Sequence, residues 1–255
     1  MYFDLPDIYL AYAIPILLGL LVGVLYPVTQ HIRDRRLRRQ YYLLQLITFV
    51  SAIVGAKLVF LFAEYRWPLE PVTDWHRTLY TGRSLVGALI FGFLAAELAK
   101  PLVGYPLPPN DRFAALLPFS LAIGRVGCLL NGCCRGIPYD GPLSIVYADG
   151  IPRHPTQVYE IVFQLCAGIG AIILVKYKYL TGCVFSLYLI CYGVFRFLIE
   201  FIRETPKSFG PFSAYQWLSL LMIALGASFL VKRHFFPPAV WNTYTASKPL
   251  AATLE

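Results

Sequence analysis

The sequence is poor in charged residues, which make up only 14% of its 255 positions. Soluble domains average about 25% charged residues, so this composition excludes an ordinary soluble globular enzyme. The chain also has no low-complexity tract, and aromatic residues make up 16% of it, which excludes a disordered or fibrous protein. Its six cysteines do not show the spacing of a secreted disulfide framework. Apolar residues make up 58% of the chain, and they fall in long blocks.

Seven apolar blocks are each close to the ~20 residues that a transmembrane helix needs. They lie near residues 8–29, 41–63, 84–103, 113–131, 157–175, 181–199 and 213–231. The chain is therefore predicted to be all-α, a polytopic integral membrane protein with about seven transmembrane helices in one domain, residues 1–235. No basic segment precedes the first block, so we expect a retained span rather than a cleaved signal. Residues 236–255 are expected to form a disordered cytoplasmic tail.

The formal net charge of the chain is +8. In a membrane protein, basic residues mark cytoplasmic loops and contacts with lipid phosphates, so we expect no nucleic-acid partner. The densest basic cluster is the connection His31–Gln40, which holds five arginines. Placing it in the cytoplasm predicts an extracytoplasmic N-terminus, a cytoplasmic C-terminus and outer loops near residues 64–83, 132–156 and 200–212.

Several charged residues lie near or within the predicted spans, where inserting a charge costs at least about 2.5–3.5 kcal/mol. The least easily explained are Arg125 and the group of Arg196, Glu200 and Arg203. Arg196 and Glu200 are four residues apart and can pair on one helix face, so a purely structural ion pair is one interpretation. Two or three arginines beside one carboxylate, however, leave uncompensated positive charge. Because a guanidinium binds phosphate through two parallel hydrogen bonds, the group predicts a site for an anionic phospholipid head group.

The segment before the fifth block, Pro152–Glu160, holds His154 between two prolines that fix its backbone. Thr156 is predicted to be the N-cap of the following helix, with Glu160 favouring the helix start. Residue types alone favour a rigid, capped turn with a solvated histidine. The competing interpretation is that His154 accepts a proton, because imidazole titrates near neutral pH.

The run Gly124–Gly136 combines four glycines with three cysteines. The glycines allow its backbone to approach a ligand closely, and the arginines near its two ends favour a reactive thiol. Adjacent cysteines rarely bind one metal ion well, and no histidine-rich segment is nearby, so we expect no metal site. A disulfide from Cys128 to Cys133 or Cys134 remains open at this point.

Three of these segments together resemble prolipoprotein diacylglyceryl transferase, a family of bacterial inner-membrane enzymes. Gly124–Gly136 resembles the family signature G-R-x-G-N-F-x-N-G-E with a glycine shortly after it. Arg153–Glu160 is similar to the family segment R-H-P-S-Q-L-Y-E. Tyr192–Arg203 is similar to the segment Y-G-x-F-R followed by E-F-x-R. No single motif is sufficient, but the three in this order and spacing are specific.

The resemblance implies that the diacylglyceryl group of phosphatidylglycerol is transferred to the lipobox cysteine of a prolipoprotein at the outer leaflet. A thioether forms and glycerol 1-phosphate is released. Catalytic roles are implied for Arg125, Arg196 and His154. Binding of the phosphatidylglycerol head group is implied for Arg125, Asn131, Gly136, Arg196, Glu200 and Arg203. The expected partners are phosphatidylglycerol, the prolipoprotein signal peptide and the lipid bilayer, and no cofactor is expected.

The sequence departs from the family pattern in residues expected near the acceptor thiol. The family's catalytic histidine precedes a G-G-L-I-G-like stretch, and the corresponding run here, Gly82–Gly87, has no histidine. Cys128 replaces the signature asparagine, and Cys133 replaces the signature glutamate. Arg83, Cys128 and Cys133 are therefore the expected acceptor-side residues. Activation of the thiol is assigned either to His154 as a base or to the positive charge of Arg83.

Three other functions remain open at this point. The same lipid donor can serve a different acceptor, or a lipid-binding or transport protein can keep the arginines without the chemistry. The third is thiol redox chemistry at Cys128, Cys133 and Cys134. A transporter built from two related halves is disfavoured, because the sequence has no internal repeat.

Overall fold

The computed structural model describes residues 35–65, 82–105, 110–205 and 210–236. Within these ranges the chain forms helices and one short β-hairpin. The helices are α1 (Arg35–Tyr65), α2 (Leu85–Val103), α3 (Asn110–Leu130), α4 (Thr156–Lys176), α5 (Val184–Ile199) and α6 (Ala214–Phe235). The hairpin pairs β1 (Ile145–Val146) with β2 (Pro152–Arg153) in antiparallel register. The predicted first span, residues 8–29, lies outside the described residues, as does the predicted tail apart from Phe236.

The prediction of an all-α, polytopic membrane protein is confirmed. Five helices, α1 to α4 and α6, are long and apolar enough to cross a membrane, and α5 is a shorter apolar helix. Each coincides with one of the predicted spans from the second to the seventh. The total of seven includes the span outside the described residues and stays a prediction. The predicted outer loop 132–156 contains the small hairpin, which composition did not indicate.

Helix α1 has an exposed apolar face, as contact with lipid requires. Its exposed large apolar side chains include Leu43, Leu46, Phe49, Val50 and Ile53. The prediction that His31–Gln40 is a loop is wrong from Arg35 onward, because α1 already begins at Arg35. Its 31 residues make a helix about 46 Å long, more than the ~30 Å hydrocarbon core needs. The arginine-bearing first turns can therefore extend into the head-group region.

The chain divides into two compact units. Among the described residues, one unit contains α1, α2 and the residues of α6 up to Ala224. The other contains α3, the hairpin, α4, α5 and the rest of α6. The residues of the candidate site, with the exception of Arg83, belong to this second group.

Helices α1 and α2 pack closely because glycine occupies the point of contact. A Cβ atom at Gly87 would lie 2.3 Å from the carbonyl oxygen of Gly55. The Ser84 side chain caps α2 by accepting the Gly87 N–H at 3.2 Å, and the Ser84 N–H donates to the Ala56 carbonyl at 2.9 Å. The start of α2 is therefore fixed against the middle of α1.

Helices α3, α5 and α6 are joined at one end by Asp111. Its Oδ1 accepts the N–H of Val184 at 3.1 Å, and its Oδ2 accepts the N–H of Gly182. The Arg233 guanidinium donates to the Gly182 carbonyl at 2.6 Å. Asp111 thus caps α5 and connects its start to the start of α3.

Replacing Gly87 with alanine tests the close packing of α1 and α2. The added methyl group must displace the backbone of Gly55, so we expect Gly87→Ala to lower the free energy of unfolding by about 1–3 kcal/mol or more. Thermal unfolding in detergent micelles measures this. The matched control is Gly170→Ala in α4, since nothing lies within 4 Å of a Cβ there. Equal stability of Gly87→Ala and the unmodified protein would contradict the packing described.

Candidate lipid-phosphate and thiol site

Arg125 and Glu160 form a buried ion pair between α3 and α4. Arg125 Nη2 lies 2.9 Å from Glu160 Oε2, and the Glu160 side chain is only 1% exposed. The hydroxyl of Tyr192, on α5, donates to Glu160 Oε1 at 2.9 Å. Three helices therefore meet at this carboxylate. Because an unpaired buried charge is costly, the pair fixes the position of Arg125.

A second group of charges lies at the end of α5. Arg196 Nη2 lies 2.9 Å from Glu200 Oε2, and Arg203 Nε lies 3.7 Å from the same oxygen. The Glu200 side chain is fully buried. The pairing of Arg196 with Glu200 predicted from their spacing is confirmed.

The two groups form one electrostatic cluster, because the charges of Arg125 and Glu160 both act on the Arg203 guanidinium. In this cluster three guanidinium groups face two carboxylates. The sequence analysis predicted one carboxylate beside the arginines, and this prediction was wrong. A second carboxylate, Glu160, pairs with Arg125 from a distant position in the sequence. Within the part of the chain that the structure describes, the cluster therefore holds more guanidinium groups than carboxylates, which favours the binding of an anion.

Three cysteine thiols adjoin Arg125. Its Nη1 lies 3.9 Å from Cys128 Sγ, and the sulfur atoms of Cys128, Cys133 and Cys134 all lie within 4.8 Å of one another. All three are free thiols, without a disulfide. Hydrogen bonds from Cys128 and Cys133 hold the pKa of the Cys134 thiol well below its usual range, while contacts with the other two thiols raise the pKa of Cys133.

The first residues of α4 hold the cysteine loop in place. The Gln157 amide nitrogen donates to the Cys133 carbonyl at 2.6 Å, and the Gln157 oxygen accepts the Tyr147 hydroxyl at 2.9 Å. The Thr156 hydroxyl donates to the Cys134 carbonyl at 2.5 Å. The prediction that Thr156 is the N-cap was wrong: Pro155 is the N-cap and Thr156 is the first helical residue. Its hydroxyl instead donates a hydrogen bond to the carbonyl of Cys134 in the preceding loop.

Gly136 and His154 lie where the loop after α3, the segment before α4 and the segment after α5 are hydrogen-bonded to one another. The Gly136 N–H donates to the His154 carbonyl at 3.0 Å, and the Ile137 N–H donates to the Ile202 carbonyl at 2.9 Å. A Cβ atom at Gly136 would lie 2.6 Å from the Cβ of His154, so only glycine fits. The His154 ring stacks on Tyr139 with centroids 3.9 Å apart, and its Nδ1 lies 3.2 Å from the Tyr159 hydroxyl. Both residues order this junction.

Four charged side chains fasten the hairpin to the end of the α5 segment. Asp149 Oδ2 lies 2.8 Å from Arg135 Nη1 and 3.1 Å from Arg153 Nη2. Glu204 Oε2 lies 3.1 Å from Arg153 Nη1 and 3.4 Å from Arg135 Nε. Desolvation acts to raise the pKa of Asp149, but the Ile151 N–H and the two arginines outweigh it and hold that pKa below its usual range.

A cavity of about 470 Å³ opens beside the thiols. Its lining residues are Asn131, Gly132, Cys133, Cys134, Arg135, Tyr147, Ala148 and Glu204. Cys133 and Cys134 both lie in its wall. Asn131, predicted to bind the lipid head group, lies in the wall of this cavity.

The structure brings together most of the residues that the sequence singled out. Arg125, Arg196, Glu200 and Arg203 form the charged cluster, Cys128 and Cys133 adjoin it, and Asn131, Gly136 and His154 follow on the connected loop. Arg83 is exposed and belongs to the other unit. Its predicted role near the acceptor stays a prediction.

Sequence reasoning missed the roles of Glu160 and Gln157. Glu160 was interpreted as a helix-start residue, although it is a carboxylate within an apolar helix and so needed a buried partner. That requirement was the available signal for its pairing with Arg125. Gln157 gave no comparable signal, because its partners Tyr147 and Cys133 are set by the fold of the loop.

Comparison with known proteins now identifies the family. Residues 2–232 match the family model of prolipoprotein diacylglyceryl transferase. The chain belongs to this family. The resemblance inferred from three motifs is thus confirmed, and the protein is a transferase of the bacterial membrane, in a family of lipoprotein biosynthesis.

Several relatives carry the name phosphatidylglycerol–prolipoprotein diacylglyceryl transferase. The Clostridium perfringens protein numbered 2 is 29% identical over 189 residues, which cover 71% of this chain and 74% of the relative. The Geobacter sulfurreducens protein is 31% identical over 199 residues, covering 71% of this chain and 74% of the relative. The Bordetella parapertussis protein is 34% identical over 174 residues, and the match covers 63% of each chain.

The charged network of the hairpin predicts a pH effect in this family member. The pKa of Asp149 lies below its usual range in the folded protein, so its ion pairs stabilise the hairpin at neutral pH and are lost as the pH falls through that lowered pKa. We expect hydrogen exchange of the Ile151 amide, corrected for the chemical rate, to accelerate below about pH 4.

The matched substitutions are Asp149→Asn and Asp140→Asn, both at exposed positions of the same loop. Asp149→Asn should exchange fast already at pH 7, whereas Asp140→Asn should behave as the unmodified protein. Slow exchange in Asp149→Asn at pH 7 would show that Asp149 does not hold the hairpin.

Proposed function

We propose that this protein transfers the diacylglyceryl group of phosphatidylglycerol to the lipobox cysteine thiol of prolipoproteins. A thioether forms and glycerol 1-phosphate is released, as the first step of lipoprotein maturation. The names of the relatives support the two substrates. The single observation that carries the proposal is the buried cluster in which three guanidinium groups face two carboxylates beside a group of thiols.

Arg125 and Arg196 would act on the phosphate that leaves. The reaction displaces a phosphate ester from carbon, so negative charge develops on the departing oxygen. Guanidinium groups that are already fixed by buried carboxylates stabilise this charge without reorganising. Arg203 interacts electrostatically with Arg125, Glu160 and Glu200, and it would add to the binding of the head group. Glu200 would position two of the three arginines.

The reaction is proposed to take place at the outer leaflet of the inner membrane. This follows from placing the basic start of α1 in the cytoplasm, with the N-terminus outside and the C-terminus inside. The loop that carries the hairpin then faces outward, where a translocated prolipoprotein would arrive.

Two parts of the proposal rest on the sequence analysis alone. These are the catalytic role of His154 and the acceptor-side role of Arg83, and both stay predictions. The stacking of His154 on Tyr139 and its contact with the Tyr159 hydroxyl favour a role in ordering the loop. Gly136 and Asn131 as ligands of the head group are also proposals.

Incubation of the purified protein with phosphatidylglycerol and a lipobox peptide tests the function. We expect the peptide to gain the mass of one diacylglyceryl group, in a linkage that resists hydroxylamine because it is a thioether. A peptide with serine in place of the cysteine should not be modified. Lipid binding without any modification of the peptide would favour a lipid-binding protein instead.

Arginine-to-lysine substitutions test the phosphate-binding role. Arg125→Lys and Arg196→Lys keep the charge but lose the two-point geometry of the guanidinium, so we expect turnover to fall at least about 10-fold. Arg36→Lys, on the exposed start of α1, is the matched control and should turn over normally. Near-normal turnover in both Arg125→Lys and Arg196→Lys would contradict the proposed role of the cluster.

A further inference from the structure

The three thiols that adjoin Arg125 lie close enough to one another to bind a single metal ion. The sulfur atoms of Cys128, Cys133 and Cys134 lie within 4.8 Å of one another and are all free thiols. The other three cysteines lie elsewhere, with Cys166 and Cys191 exposed on α4 and α5 and Cys183 at the start of α5. Only three of the six cysteines therefore converge.

An unusual backbone conformation allows the two adjacent cysteines to converge on the third. Cys134 has a φ of 61°, in the left-handed region that non-glycine residues rarely adopt. Gly132 before it has a φ of 63°, and the Cys133 N–H donates to the Cys128 carbonyl at 3.1 Å. The general objection that adjacent cysteines bind one metal poorly does not apply to this conformation.

The surrounding side chains hold this loop before any ligand arrives. Gln157 and Thr156 donate to the carbonyl groups of Cys133 and Cys134 from the buried start of α4. Such supporting hydrogen bonds are what orient the ligands of a metal site. The thiols are thus preorganised by contacts that a disordered cysteine loop would not have.

The distances and charges suit a zinc ion. Zinc–sulfur bonds of about 2.3 Å in a tetrahedron place the sulfur atoms roughly 3.8 Å apart, so the three need to approach by no more than about 1 Å. Three thiolates with Zn²⁺ carry one net negative charge, and the Arg125 Nη1 lies 3.9 Å from Cys128 Sγ. Thiolates are soft ligands that favour zinc over magnesium or calcium.

We propose that Cys128, Cys133 and Cys134 bind one Zn²⁺ whose fourth position takes the acceptor thiol. The proposal rests on the proposed function for the identity of that thiol. Three protein ligands leave one position open, as in catalytic zinc sites. The cavity of about 470 Å³ beside Cys133 and Cys134 gives the thiol a path to that position. This site replaces the expectation of no metal.

The step balances without an added oxidant or reductant. When the acceptor thiol coordinates zinc, its proton passes to solvent and the sulfur is held as a thiolate. The sulfur attacks the glyceryl carbon and forms a C–S bond while the C–O bond to phosphate breaks. The phosphate oxygen leaves with the bonding electron pair beside Arg125 and Arg196 and takes up a proton. The thioether product is a weak ligand and dissociates, and zinc stays Zn²⁺ throughout.

The proposal also accounts for a residue change that the family pattern left unexplained. The run Gly82–Gly87 has no histidine to act as a base, while cysteines occupy two positions where the family has asparagine and glutamate. A zinc-bound thiolate needs no separate base.

Metal content and spectroscopy of the full-length protein test the site independently of turnover. Protein purified in detergent under reducing conditions should contain about one zinc per chain. Replacement of zinc by Co²⁺ should give sulfur-to-cobalt charge-transfer absorption in the near ultraviolet. Each of Cys128→Ser, Cys133→Ser and Cys134→Ser should weaken cobalt binding at least about 10-fold, and the triple variant should abolish it. The matched controls Cys166→Ser and Cys191→Ser should bind cobalt normally.

A lipobox peptide then probes the open position. Its cysteine should shift the cobalt spectrum, and the peptide with serine instead should not. Cobalt binding that survives the triple variant, a protein that binds no metal, or a disulfide among the three cysteines after trapping in intact membranes would overturn the proposal. Full transfer after removal of the metal would overturn its role in activation. Metal binding with a peptide-dependent shift but no transfer would instead count against the proposed function alone.

Discussion

The pairing of Arg125 with Glu160 is the interaction on which the rest of the site depends. Both side chains lie in apolar helices, where neither charge is tolerated without the other. The Tyr192 hydroxyl adds α5 to the same carboxylate, so one residue connects α3, α4 and α5. Arg203, which follows α5, lies within electrostatic range of Arg125. Without Glu160, the arginines would repel each other in a low-dielectric setting.

The same ion pair links the charged cluster to the three thiols. Arg125 is held on one side by Glu160 and contacts Cys128 on the other. The loop after Cys128 is in turn fastened by Gln157 and by the ion pairs of Asp149. A donor lipid and an acceptor thiol would therefore meet at one arginine. Holding both reacting groups in place converts a two-molecule encounter into a local step.

The sequence could predict what depends on short spacing or on long apolar runs. The described helices coincide with predicted spans, and the pair of Arg196 and Glu200 followed from their separation of four residues. Glu160 and Arg125 are 35 positions apart, and only the fold brings them together. The left-handed backbone at Cys134 could not be predicted either, because it depends on contacts with Thr156 and Gln157.

The charge balance of the cluster is the central claim, and lipid selectivity measures it most directly. Native mass spectrometry of the detergent-purified protein, with equal amounts of phosphatidylglycerol and phosphatidylethanolamine, gives the ratio of the two lipids bound. The unmodified protein should prefer phosphatidylglycerol, because Arg125, Arg196 and Arg203 place three guanidinium groups around the two carboxylates of the described cluster. Arg203→Gln removes one of these guanidinium charges and should weaken the preference, whereas Arg36→Gln should not. An unchanged preference in Arg203→Gln would contradict the account.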